Sequence, residues 1–210
     1  MIRKGIVCIL FFLFSSLLFA GFSVDVDLGI GATVNDNDLY FRINARYFDR
    51  DPDYVFAAAR KLRAPDREVP IIFFLAYHSK KDVDAIIQMS KGGHSWWDVS
   101  LKLGIPVSVY FMDIPFDPGP PYGKAYGYWK KHKRNPAQRV ILSEREMYDL
   151  ISLQIACNYY GLPPRDVIKR RQDGRDFKVI LTDEYKQRHI PPGHLKAKEK
   201  EKKEHGKKKH

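Results

Sequence analysis

The side chains best equipped for chemistry lie in one run, residues 113–136, DIPFDPGPPYGKAYGYWKKHKRNP. Tyr122, Tyr126, Tyr128 and Trp129 are interleaved with Gly123 and Gly127, and Lys130, Lys131, Lys133 and Arg134 follow at once. Flat rings stack on bases or sugars, and cations meet phosphate or carboxylate. These eight residues are the binding candidates, directed at an anionic polymer or membrane surface. A second reading folds the rings back over the core and leaves the lysines in water, because amphipathic aromatics bury their rings and expose their polar tips. The prolines mark 113–142 as a loop, and a loop this long in a small domain is functional or disordered.

Catalytic signatures are missing from the sequence. It holds no GxSxG, no GxxxxGK[ST], no GxGxxG, no HExxH and no paired-cysteine knuckle. His78 and His94 are read as surface or capping residues, since two histidines alone do not make a zinc site. Asp113 and Asp117 sit among prolines and glycines, not on rigid elements, and so suit general acid–base work poorly. No cofactor or metal is expected, and a binding or structural role is favoured over an enzyme.

Those candidates need a scaffold, and residues 79–112 read as its centre. Ser79 with Asp82 gives a capping-box-like start. Val83, Ile86 and Ile87 then share a helix face. Gly92-Gly93 stops that helix, because glycine enters the left-handed turn without steric cost. Ser95 with Asp98 starts the next, with Trp96, Val99 and Leu103 as its apolar stripe and Gly104 as its end. Pro106 opens a third element carrying Val107, Tyr110 and Phe111 on one face. The pattern of Gly93, Ser95, Asp98, Val99, Leu103, Gly104 and Ile105 resembles the three-helix core of helix-turn-helix domains. In DNA-binding members the third helix reads bases with polar side chains. Here that segment is Val107–Met112, with one hydroxyl, one phenol and no Arg, Lys, Asn or Gln. The resemblance therefore implies the packing, while sequence-specific DNA binding is not expected. The chain also resembles secreted bacterial proteins with GPPYGKAYGYW-like loops.

Upstream, Asp51-Pro52 opens a helix to about residue 62, and Pro65-Asp66 breaks it. Val69–His78 follows as a helix apolar on most sides, which belongs in the centre of a fold. Downstream, Ser143 and Glu146 form a capping box, and the helix they open runs to about Tyr160 and ends at Gly161. Pro163-Pro164 begins another, with Val167 and Ile168. Gly174 stops it, and Asp176 caps a last helix with Phe177, Ile180 and Leu181. Aligning Gly93 with Gly174 puts Ile86 on Val167, Ile87 on Ile168, Trp96 on Phe177 and Val99 on Ile180. Two related helix-turn-helix-like units packed together are expected.

Val24, Val26, Leu28 and Ile30 alternate with polar residues or glycine, as do Leu39, Phe41, Ile43, Ala45 and Tyr47. Asn35-Asp36-Asn37-Asp38 lies between the two runs, so they read as a β-hairpin. The fold class is mainly α with an N-terminal hairpin. Residues 1–20, MIRKGIVCILFFLFSSLLFA, carry Arg3 and Lys4 before an apolar run and end on a small residue, which is a secretory signal peptide. Cys8 belongs to it. Cys157, the second of two cysteines, is then alone and read as a small core residue. From His194 onward there are eight lysines against three glutamates, a composition that stays solvated. Six stretches result: signal peptide 1–20, hairpin 21–50, first helical unit 51–112, aromatic-basic loop 113–142, second helical unit 143–188 and basic tail 189–210. With a formal charge of +11 over 210 residues, the chain is expected to be exported to the periplasm or beyond and to attract anionic partners.

Overall fold

Where a short polar side chain precedes an apolar stripe, a helix begins. A computed structural model of the chain describes residues 34–189, which are mainly helical, with no strand among the described residues. The first helix, α1 (Asp36–Tyr47), starts where Asn35 Oδ1 accepts a hydrogen bond from the Asp38 amide at 2.9 Å. Asp36 and Asp38 lie in its first turn, where negative charge meets the positive end of the helix dipole. This corrects the strand expected over Leu39–Phe48 and the turn expected before it. An alternating pattern and a helical one share every fourth residue, here Leu39, Ile43 and Tyr47, and the Asn35 cap decides between them. The other expected strand, over 23–33, lies outside the described residues, as do the signal peptide and residues 190–210.

Asp51 caps α2 (Pro52–Ala59), and α3 (Pro65–Ser79) follows after Pro65. Pro70 sits inside α3 and lacks an amide hydrogen, which would leave the Asp66 carbonyl unpaired. The buried Tyr40 hydroxyl donates to that carbonyl at 2.9 Å. α4 (Val83–Lys91) begins at Asp82, not Ser79: Asp82 accepts from the amides of Asp84 and Ala85, while Ser79 Oγ donates back to the Leu75 carbonyl. α5 (Trp96–Lys102) has the full capping box between Ser95 and Asp98. The third element is a short 3-10 helix, Val107–Tyr110, opened by Pro106. Phe111 is already extended beyond it, and Pro115 disfavours the helical region at residue 114.

The stretch expected as a loop contains a helix, α6 (Gly123–Arg134). No proline interrupts 122–135, and Lys131, His132, Lys133 and Arg134 fill its last turn, where cations suit the dipole. α7 (Glu144–Tyr160) starts at the Ser143–Glu146 capping box and closes on Gly161 at φ 65°. α8 (Pro164–Gln172) and α9 (Phe177–His189) complete the chain.

α3 and α7 pack on each other in the centre; α1 lies against α9 and α2, and α4 and α8 lie against α3 and α7 respectively. The Gly93-to-Gly174 alignment, a shift of 81 residues, carries Val83–Lys91 onto Pro164–Gln172 and the end of α3 onto the end of α7. It also places Lys80 on Gly161, and both close their helices in the left-handed region, at φ 58° and 65°. The apolar positions it pairs, Ile86 with Val167, Ile87 with Ile168, Trp96 with Phe177 and Val99 with Ile180, are all buried.

The same shift places Glu68 on Asp149, two acids that the sequence reading passed over. Both are buried and both are satisfied. Glu68 accepts from the Ala64 amide at 2.7 Å and from Trp96 Nε1 at 3.3 Å. Asp149 Oδ1 accepts from Arg171 Nε and Nη2 at 3.2 and 2.8 Å, and Oδ2 accepts from Arg145 Nε at 3.3 Å. The Arg171 guanidinium also lies 5.2 Å from the Phe177 ring centroid. Where one half uses an indole on its buried acid, the other uses a guanidinium held over a phenyl ring.

Candidate functional site

α6 carries seven of the eight candidate side chains, and Tyr122 immediately precedes it. Their exposure divides them by chemistry: the rings are buried or half-buried and the cations are exposed. The rings turn inward. Tyr122 is buried, and its hydroxyl has no hydrogen-bond partner among the described residues. Burial, followed by the nearby Asp149 charge, pushes its ionisation well above the usual phenol range. Tyr126 donates its hydroxyl to the Met112 carbonyl at 3.1 Å and sets its ring edge-on to Phe111, centroids 5.3 Å apart.

Trp129 is half-buried and already stacked. Phe111 lies parallel to it at 5.1 Å with 7° between planes, and His132 lies 5.6 Å away at 24°. Lys133 Nζ sits 5.7 Å from the same ring, within cation–π range. Tyr128 is half-buried, with Lys124 Nζ 5.9 Å from its centroid. Tyr126 and Trp129 thus pin α6 to Phe111 and Met112.

The cations turn outward. Lys130, Lys131, Lys133 and Arg134 are exposed, and none of them forms an ion pair among the described residues. Lys124 has only a 3.9 Å approach to Glu146. Between Pro118 and Ser143 the sequence contains no Asp or Glu. Gly127 falls on the same outward arc, and a Cβ added there would meet nothing within 4 Å. The surface is therefore a ridge of unneutralised positive charge. Sequence reasoning found its residues and offered the reading in which the rings fold inward and the cations stay in water, but put them on a loop instead of a helix.

A cleft of about 610 Å³ lies elsewhere, lined by Asp49, Arg50, Asp51, Tyr54, Lys80, Lys81, Asp82 and Val83. Its residues come from chain segments about 30 positions apart, so no local motif announced it. Three acids face three bases, the formal charges cancel, and the cleft selects no sign of ligand. Asp51 and Asp82 are occupied as helix caps. Among the described residues no cluster of His, Cys, Asp and Glu is arranged to hold a metal ion, and no helix is long and apolar enough to cross a membrane. His78 packs on Phe74, and burial lowers its pKa. His94 pairs with Lys102 at 2.5 Å. Cys157 is buried, and burial alone pushes its thiol up to about 12.

The chain matches no family model, no curated protein and no solved structure.

Proposed function

We propose that the protein is an exported helical binding module of the cell envelope that captures anionic partners through the outer face of α6, with its basic tail as a second attractor. In this reading two related helix-turn-helix-like units, α3–α5 and α7–α9, form the body. Their glycine-punctuated helices pack on each other and do not read a base sequence. The coincidence of their helix bounds under one shift, with apolar residues at the paired positions, supports it. Export rests on the charge and apolarity of residues 1–20.

One observation carries the functional part: four neighbouring cations, Lys130, Lys131, Lys133 and Arg134, are exposed, and among the described residues no carboxylate pairs with them. A solvated surface normally intersperses the two signs of charge. The test compares the full chain with a variant in which all four become Gln. Binding is measured to vesicles rich in anionic phospholipid, to an acidic polysaccharide and to nucleic acid, at low and high salt. Wild type should bind at least one of these at low salt, lose it at high salt, and exceed the variant at least tenfold. Equal binding by the two proteins would refute a role for α6.

A further inference from the structure

We infer that the partner of the α6 ridge is duplex nucleic acid, held by its phosphodiester backbone without reading its sequence. This rests on the proposed function and names the partner of the same surface.

Charge density carries the argument. Lys131, Lys133 and Arg134 lie in the last turn of α6, and Lys130 immediately precedes it. An α-helix rises about 1.5 Å per residue, so these four charges span roughly 6 Å of axis. Duplex DNA carries about one negative charge per 1.7 Å of its axis. Over that short stretch the two line densities are of the same order. Gly127, about one turn before these cations, leaves open space beside the helix, so a backbone can approach there.

The same geometry sets aside other modes of contact. Peripheral membrane helices send their aromatics into the headgroup boundary. Here Trp129 is stacked on Phe111, the Tyr126 hydroxyl is bonded to Met112, and Tyr122 is buried. Inserting them in lipid would require α6 to leave the protein. Single-strand binding by stacking needs a free ring face, and the indole is already stacked on Phe111 and flanked by His132 and Lys133. Base reading needs a helix in the major groove, and the element that would supply it is a four-residue turn of Val107, Ser108, Val109 and Tyr110. What remains is attraction of cations to phosphate.

The experiment measures the affinity of the full chain for a 24-base-pair duplex from 50 to 400 mM salt. The same is done for the Lys130→Gln/Lys131→Gln/Lys133→Gln/Arg134→Gln variant. Each phosphate contact contributes about 0.9 to the slope of log K against log salt, so four contacts make the variant's slope shallower by about 3 to 4. Affinity at 150 mM salt should fall on the order of a hundredfold. Two duplexes of unrelated sequence should bind alike. All four substitutions lie at exposed positions, and circular dichroism verifies that the helices persist. An unchanged slope, or a sequence preference beyond tenfold, overturns the inference. Binding to anionic vesicles or acidic polysaccharide through the same four cations, with weaker binding to duplex, also overturns it while leaving the proposed function standing. No binding to any of the three defeats both.

Discussion

Asp149 and Arg171 form a buried ion pair, with side chains only 3% and 6% exposed. Removing one partner of such a pair strands the other charge away from water, at about 3–5 kcal/mol. Asp149→Ala should lose about that much stability in urea unfolding, whereas Asp149→Leu with Arg171→Met should come close to wild type. A cost below about 1 kcal/mol for the single change would mean that water reaches the guanidinium. Titration adds a second expectation at this scale. Burial raises the Cys157 thiol from 9.0 to about 12 and raises the Tyr40, Tyr110, Tyr148 and Tyr160 phenols above 10.0. In the unfolded chain these groups ionise at their ordinary values, so alkali favours unfolding. Their contribution is complete below pH 9 and is lost progressively toward pH 12. Denaturation midpoints should fall across that window, and midpoints that hold flat would show that these groups are not buried as described. Neither the ion pair nor the phenols were visible as such in the sequence. Asp149 stands within the apolar stripe of α7, one residue before Leu150, and its only announcement was that a carboxylate there must find a cation.

The helices obey their ends. Ser95 and Ser143 close the capping boxes read from sequence, and Gly93, Gly104, Gly161 and Gly174 all take positive φ. These signals were legible because a cap or a left-handed turn depends on two to four adjacent residues. The errors came where a pattern was ambiguous or where one residue type dominated the view. Leu39, Ile43 and Tyr47 fit both a strand and a helix, and the alternation predicts a strand where the Asn35 cap makes a helix. The prolines around 115–121 extended a loop over a segment that is proline-free and helical from Gly123. The 81-residue correspondence yields a prediction of its own. Lys80 holds the left-handed position that Gly161 holds in the other half. A side chain there costs about 1–2 kcal/mol, partly offset because glycine frees the unfolded chain. Lys80→Gly should therefore stabilise by about 0.5–1 kcal/mol in thermal unfolding. A loss of stability would mean that Lys80, whose ammonium lies 4.5 Å from the Tyr77 ring centroid, contributes more than its backbone costs.

Across the whole molecule, charge is segregated and not balanced. Ion pairs tie α9 to α1 through Lys186 and Asp36 at 2.6 Å, and to α3 through Lys178 and Asp66 at 2.8 Å. The cleft beside Asp51 and Asp82 cancels its own charges. Among the described residues, α6 gathers cations without acids, pinned by rings that were themselves candidates for contact. Its residue types could be listed from the sequence, but the direction in which each points required the helix. Amide hydrogen exchange of the full chain, with and without a short duplex of mixed sequence, puts this to the most direct test. Slowed exchange over residues 123–139, with α3–α5 and α7–α9 unchanged, is the result expected. Protection centred on the Asp49–Val83 cleft, with none along α6, would contradict it.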